Sequence, residues 1–127
     1  MEDAVSIDSS VFIEHFRAKD KTDTKLKRCV RTYRNVYVSA VVKYEILCGS
    51  KDADGQYWQD TFDSYTVLPF DDDTVETARR IYQQLKRNSC LIDTGDILIA
   101  ATAMLNGLPL ATSNYKHFER IDGLEII

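Results

Sequence analysis

Short apolar runs alternate with amphipathic stretches along almost the whole chain, and that alternation leaves few folds open. Ala4-Val5-Ser6-Ile7-Asp8, Val36-Tyr37-Val38, Tyr65-Thr66-Val67-Leu68-Pro69-Phe70, Leu108-Pro109-Leu110-Ala111-Thr112 and Leu124-Glu125-Ile126-Ile127 each read as a strand. Runs this short and apolar belong to strands covered on both faces. Between them lie helical patterns: Val11, Phe12, Ile13 and Phe16; Leu26, Cys29, Val30 and Tyr33; Val41 to Leu47; Tyr57 to Phe62; Val75, Ala78, Ile81, Tyr82 and Leu85. Asp96 to Asn106 is apolar nearly all round, so it is expected to be central. Strands separated by helices make βαβ units. The expected fold class is α/β: a three-layer domain with a central parallel five-stranded sheet flanked by helices. The 127 residues hold one such domain, spanning 1–127, without repeat or linker.

Charged residues at 28%, with 2 Pro and 5 Gly, exclude a disordered or low-complexity chain. The longest near-continuous apolar run, Ile97 to Leu105, falls short of the ~20 residues a membrane span needs. Met1-Glu2-Asp3-Ala4 is acidic where a secretory signal is basic. Cys29, Cys48 and Cys90 are odd in number and widely spaced, as expected of reduced, buried thiols in a cytoplasmic protein. The net charge of −4 disfavours general affinity for nucleic acid, yet residues 21–34 carry six bases and one acid. A basic helix on an acidic body is expected.

Open parallel sheets place their sites at the carboxyl ends of strands, where the strand order reverses. Asp8 follows the first strand, Ser39 and then Glu45 follow the second, and Asn114 follows the fourth. Asp96 opens the helix that feeds the fourth strand. If the first strand is central, with the second and fourth as its neighbours, Asp8, Glu45, Asp96 and Asn114 converge. Unpaired carboxylates repel, and the economical reason to gather them is a hard divalent cation, Mg²⁺ or Mn²⁺.

Val5-Ser6-Ile7-Asp8-Ser9-Ser10-Val11, Ser39 with Tyr44-Glu45-Ile46 and Gly49, Asp96-Ile97-Leu98-Ile99-Ala100-Ala101-Thr102-Ala103, and Gly107 to Asn114 through His117-Phe118 together resemble the PIN-domain family, above all its VapC-type toxin ribonucleases. The resemblance covers nearly the whole chain in order. It implies a metal-dependent endoribonuclease that hydrolyses RNA, works as a homodimer and is inhibited by a cognate antitoxin. The family's metal ligands map onto Asp8, Glu45 and Asp96, with the fourth catalytic position at Asn114. The wider family often has Asp there; an amide keeps a carbonyl oxygen but no charge, which bears on a second metal. A degenerate, non-catalytic PIN domain that binds RNA or protein is the alternative.

Each of these residues also has a local reading. Asp8 and Asn114 stand where helix caps stand, Glu45 fits an exposed helix face, and Asp93 with Asp96 mimics a capping box. The hydroxyls of Ser9 and Thr112 and the carboxylate of Asp93 are candidates for positioning ligands or water, or plain caps. Asp71-Asp72-Asp73 reads as a dipole-favoured helix start. His15 and His117 lack a partner histidine at ligand spacing and are expected in surface or structural roles. Trp58, Tyr57 and Phe62 suit helix packing better than base stacking. Lys25, Lys27, Arg28 and Arg31 are either an RNA-binding flank or a solvated face.

Overall fold

Parallel pairing spreads outward from the first strand. In the computed structural model, which describes residues 2–127, β1 (Glu2–Ile7) lies between β2 (Tyr33–Ser39) and β4 (Leu110–Ala111), and β3 (Thr66–Leu68) extends the sheet beyond β2. All three pairings are parallel, with Val5 beside Val36, Val38 beside Val67 and Ile7 beside Ala111. The first strand is therefore central, as the convergence of acids requires. The run expected as a fifth strand lies against β4 and contributes one parallel bridge, Leu110 to Ile126. The backbone N–H groups of Leu110 and Thr112 donate to Glu125 and Ile127 there. Met1, part of the acidic amino-terminal stretch, lies outside the described residues.

Val5, Ser6 and Ile7 point to alternate faces of the sheet, and all three are fully buried, so helices cover both sides. These are α1 (Ser9–Arg17), α2 (Lys25–Thr32), α3 (Ala40–Gly49), α4 (Gly55–Asp63), α5 (Asp72–Arg87), α6 (Thr94–Leu105) and the short α7 (Tyr115–Phe118). Ser39 caps α3 by accepting from the Val42 N–H, and Asp71 and Thr74 form a capping box for α5. As its composition implies, α6 is central: Ile97, Ile99, Ala100, Ala101, Thr102 and Ala103 are all buried. Trp58 and Phe62 are buried beside Phe16 and Phe12, which makes this aromatic group packing rather than a stacking platform. Among the described residues no helix is long and apolar enough to cross a membrane.

Two expectations change here. Only Cys29 of the three free thiols is buried, and burial pushes its pKa up; Cys48 is exposed because it falls on the outer side of α3. The basic helix forms, but most of its charge is already engaged. The Lys25 ammonium donates to the carbonyls of Thr112 (2.7 Å) and Ile127 (2.8 Å). Arg28 and Arg31 turn back onto the loop before α2, bonding the Asp23 and Thr22 carbonyls respectively. Lys25 is thus a staple between α2 and the end of the sheet.

Replacing Lys25 by Met is expected to lower the unfolding free energy by about 1.5–3 kcal/mol, the scale of hydrogen bonds from a charged donor. The exposed Lys27→Met should stay within ~0.5 kcal/mol of the parent. Urea titrations of the two variants make the comparison, and equal losses would contradict the staple.

Candidate active site

β1 delivers Asp8 to the crevice between β1 and β4, where the strand order reverses. Its side chain is held by two hydroxyls: Ser10 and Thr112 each donate to Oδ2 at 2.7 Å. Each hydroxyl in turn accepts a backbone N–H from the loop after β4, Ser10 from Ser113 and Thr112 from Asn114, both at 3.0 Å. One network thus fixes the carboxylate and the loop together. Asp8 is 2% exposed, so this bonding offsets a real desolvation cost. Asp8, not Ser9 or Ser10, occupies the cap position of α1, and its side chain makes no cap bond; both serine hydroxyls face acids instead.

Glu45 is exposed, although it lies in an apolar stretch of α3. Helical spacing buries Val42 and Ile46 in the core and leaves Glu45 at the rim, where its Oε1 accepts from Ser9 at 2.8 Å. Its other oxygen closes on the first turn of α6, and a Cβ on Gly95 would stand 2.5 Å from Oε2. Glycine at this position lets the carboxylate approach the amino terminus of α6, where free N–H groups and the helix dipole favour an anion. Gly95 drew no notice in the sequence because a glycine at a helix start has many uses.

Asp96 sits in the same turn, its side chain 17% exposed. Burial pushes its carboxyl pKa up, and repulsion from Asp8 and Glu45 adds to the rise; the His117 contact pulls it back. His117 Nδ1 lies 3.3 Å from Asp96 Oδ2. His117 is exposed, as expected, and α7 carries it beside a site acid. The spacing between Asp96 and His117 held no local signal, since only the β4 loop brings them together. Asp93 takes the cap position of α6 without a side-chain cap bond and is exposed, so its expected capping role does not appear.

Asp8, Ser9, Glu45, Asp96 and Asn114 line one open cleft of about 380 Å³, with Ile13, Glu14 and Arg17 of α1. Asp93, Lys25, Lys27, Arg28 and Arg31 are not among its lining residues. Asn114 reaches it from the cap position of α7, without a side-chain cap bond. Three carboxylates and an amide oxygen suit a hard divalent cation. Burial first, and then the nearby charges of Asp8 and Glu45, make an ionised Asp96 unfavourable here without a cation. As the side chains stand, no three His, Cys, Asp or Glu among the described residues form a ready metal cluster; Ser9 bonds Glu45 and His117 lies against Asp96.

Comparison with known proteins gives a consistent picture. The family model described as PIN domain matches residues 5–124. Ribonuclease VapC1 of Rickettsia felis is 33% identical over 95% of this chain and 92% of its own length. Ribonuclease VapC1 of Methanocaldococcus jannaschii is 30% identical over 98% and 88%. Among solved structures, VapBC-1 from nontypeable Haemophilus influenzae superposes with a TM-score of 0.83 at 20% identity, covering 98% of this chain and 96% of that one. DNA-bound VapBC from Salmonella typhimurium gives 0.82 at 22% identity, covering 100% and 98%. At these identities the structures establish the fold.

The shift of Asp96 carries a stability consequence with a definite sign. A carboxyl raised in the folded state favours folding when protonated and opposes it once ionised. Asp96→Asn is therefore expected to raise the melting temperature at neutral pH in the absence of metal. The gain should vanish as pH falls below the ordinary carboxyl value of 3.8, where Asp96 is protonated in both states. Melts across a pH series test this, and a variant less stable at pH 7 would contradict it.

Proposed function

The chain belongs to the PIN-domain family, and from that premise we propose that it is a VapC-type ribonuclease toxin, an endoribonuclease dependent on Mg²⁺ or Mn²⁺. The observation that carries the reading is the meeting of Asp8, Glu45, Asp96 and Asn114 in one cleft at the sheet's switch point. The two VapC ribonucleases, similar over nearly their whole length, support RNA as the substrate.

Asp8, Glu45 and Asp96 are the residues that would hold the ion. A divalent cation bound there would supply an activated water and offset charge on the phosphate. The protein's part is to present the carboxylates in fixed places. Ser10 and Thr112 occupy Oδ2 of Asp8 and hold that side chain against the loop after β4. Ser9 steers Glu45, and His117 Nδ1, 3.3 Å from Oδ2, steers Asp96. Asn114 adds a polar, uncharged edge to the cleft, so the site attracts one cation more strongly than a second. The VapBC complexes that share the fold support an antitoxin as partner, and homodimeric assembly in the cytoplasm completes the proposal.

Purified protein should cleave RNA in Mg²⁺ or Mn²⁺ and stop in EDTA; cleavage undiminished by EDTA would refute the mechanism. Gly95→Ala gives a sharper test, because the new methyl displaces only the end of Glu45. Activity should fall about 10–100-fold, the usual loss when support of a metal ligand is disturbed. Stability should hold or rise by up to ~1 kcal/mol, since alanine suits a helix better. Full activity in this variant would remove Glu45 from the site.

A further inference from the structure

The basic helix does not supply the acidic cleft with positive charge. Lys25, Arg28 and Arg31 bond backbone carbonyls, and none of them lines the cleft. Arg17 does. Among the described residues it is the one base lining the cleft, against the carboxylates of Asp8, Glu14, Glu45 and Asp96. It stands exposed in the last turn of α1, and no described residue bonds or pairs with it.

Ser9, Ile13 and Arg17 follow one another at four-residue spacing and so share one stripe of α1. Long side chains on a helix lean back toward its amino terminus, which here is the acid end. From Arg17 the surface continues into a second groove of about 280 Å³, which shares Ile13, Arg17 and Glu45 with the cleft. Lys51 lines this groove too, exposed, and no described residue bonds its ammonium.

We infer that Arg17 grips the RNA backbone beside the acids, and that the strand leaves along this groove toward Lys51 rather than across α2. Beyond the ion the acids would hold, Arg17 is the positive charge this lining offers a polyanion, and a guanidinium without an ion pair breaks none to bind. Its planar fork matches two phosphate oxygens at once, which an ammonium does not. The inference rests on the ribonuclease reading and adds to it a substrate-binding residue and a path.

The test is binding of a fluorescein-labelled single-stranded oligoribonucleotide across a salt series, with steady-state cleavage measured alongside. Arg17→Ala should weaken binding at least tenfold and flatten the slope of log K against log salt by about 0.7, the single-strand value for one phosphate contact. The loss should appear mainly in KM, with thermal melts unchanged. Lys51→Ala should show a smaller loss of the same kind, and Lys27→Ala none. Arg17→Lys should keep the salt slope and recover part of the affinity. An Arg17→Ala protein with unaltered RNA affinity and slope, beside an active parent, would overturn the inference and leave the groove to a protein partner. A loss confined to Lys27→Ala would return the RNA to α2. A parent that neither binds nor cleaves RNA would instead bring down the ribonuclease reading itself.

Discussion

Mutual repulsion among Asp8, Glu45 and Asp96 is the interaction around which this molecule is arranged. The acids come from the end of β1, from α3 and from the first turn of α6, and each separate segment would fold more easily without its neighbours' charge. Asp96 records the conflict: burial and the other two carboxylates raise its pKa. The surrounding polar groups share one task, which is to hold these oxygens in place. Ser10 and Thr112 take Asp8, Ser9 takes Glu45, and His117 takes Asp96. A scaffold that keeps like charges together against their repulsion is what cation-dependent chemistry requires.

The sheet order makes this possible. With β1 between β2 and β4, the chain crosses one way to build β2 and β3 and then returns to place β4 on the other side. The crevice left at the reversal is where Asp8 meets the loop carrying Thr112 and Asn114. The Lys25 staple closes the same region from behind, bonding the carbonyl of Thr112 while the hydroxyl of that residue bonds Asp8. Its stabilising role and its closeness to the site therefore meet in one residue.

Much of this was legible in the sequence because it rests on short-range pattern. Apolar runs marked the strands, Ser39 and Asp71 marked the starts of α3 and α5, and an all-round apolar stretch marked α6 as central. Asp8 could be placed because the end of a strand is readable, and Glu45 and Asp96 because the helical patterns that carry them are. What escaped notice depends on contacts between distant segments. His117 joins Asp96 across 21 positions, the partner of Ser9 proves to be Glu45, 36 positions away, and the need for glycine at 95 arises only from the approach of α3. A run of charge such as that of α2 shows neither which carbonyls lie nearby nor which base of the chain lines the cleft, as Arg17 does.

The claim that these three acids exist to hold a cation is tested most directly by calorimetric titration of the protein with Mn²⁺ in the absence of RNA. Saturable binding is expected in the parent, lost in Asp8→Asn and Asp96→Asn, and retained in Asp93→Asn, whose carboxylate is exposed and outside the cleft lining. Binding that survives both Asp8→Asn and Asp96→Asn, or that disappears with Asp93→Asn alone, would contradict it.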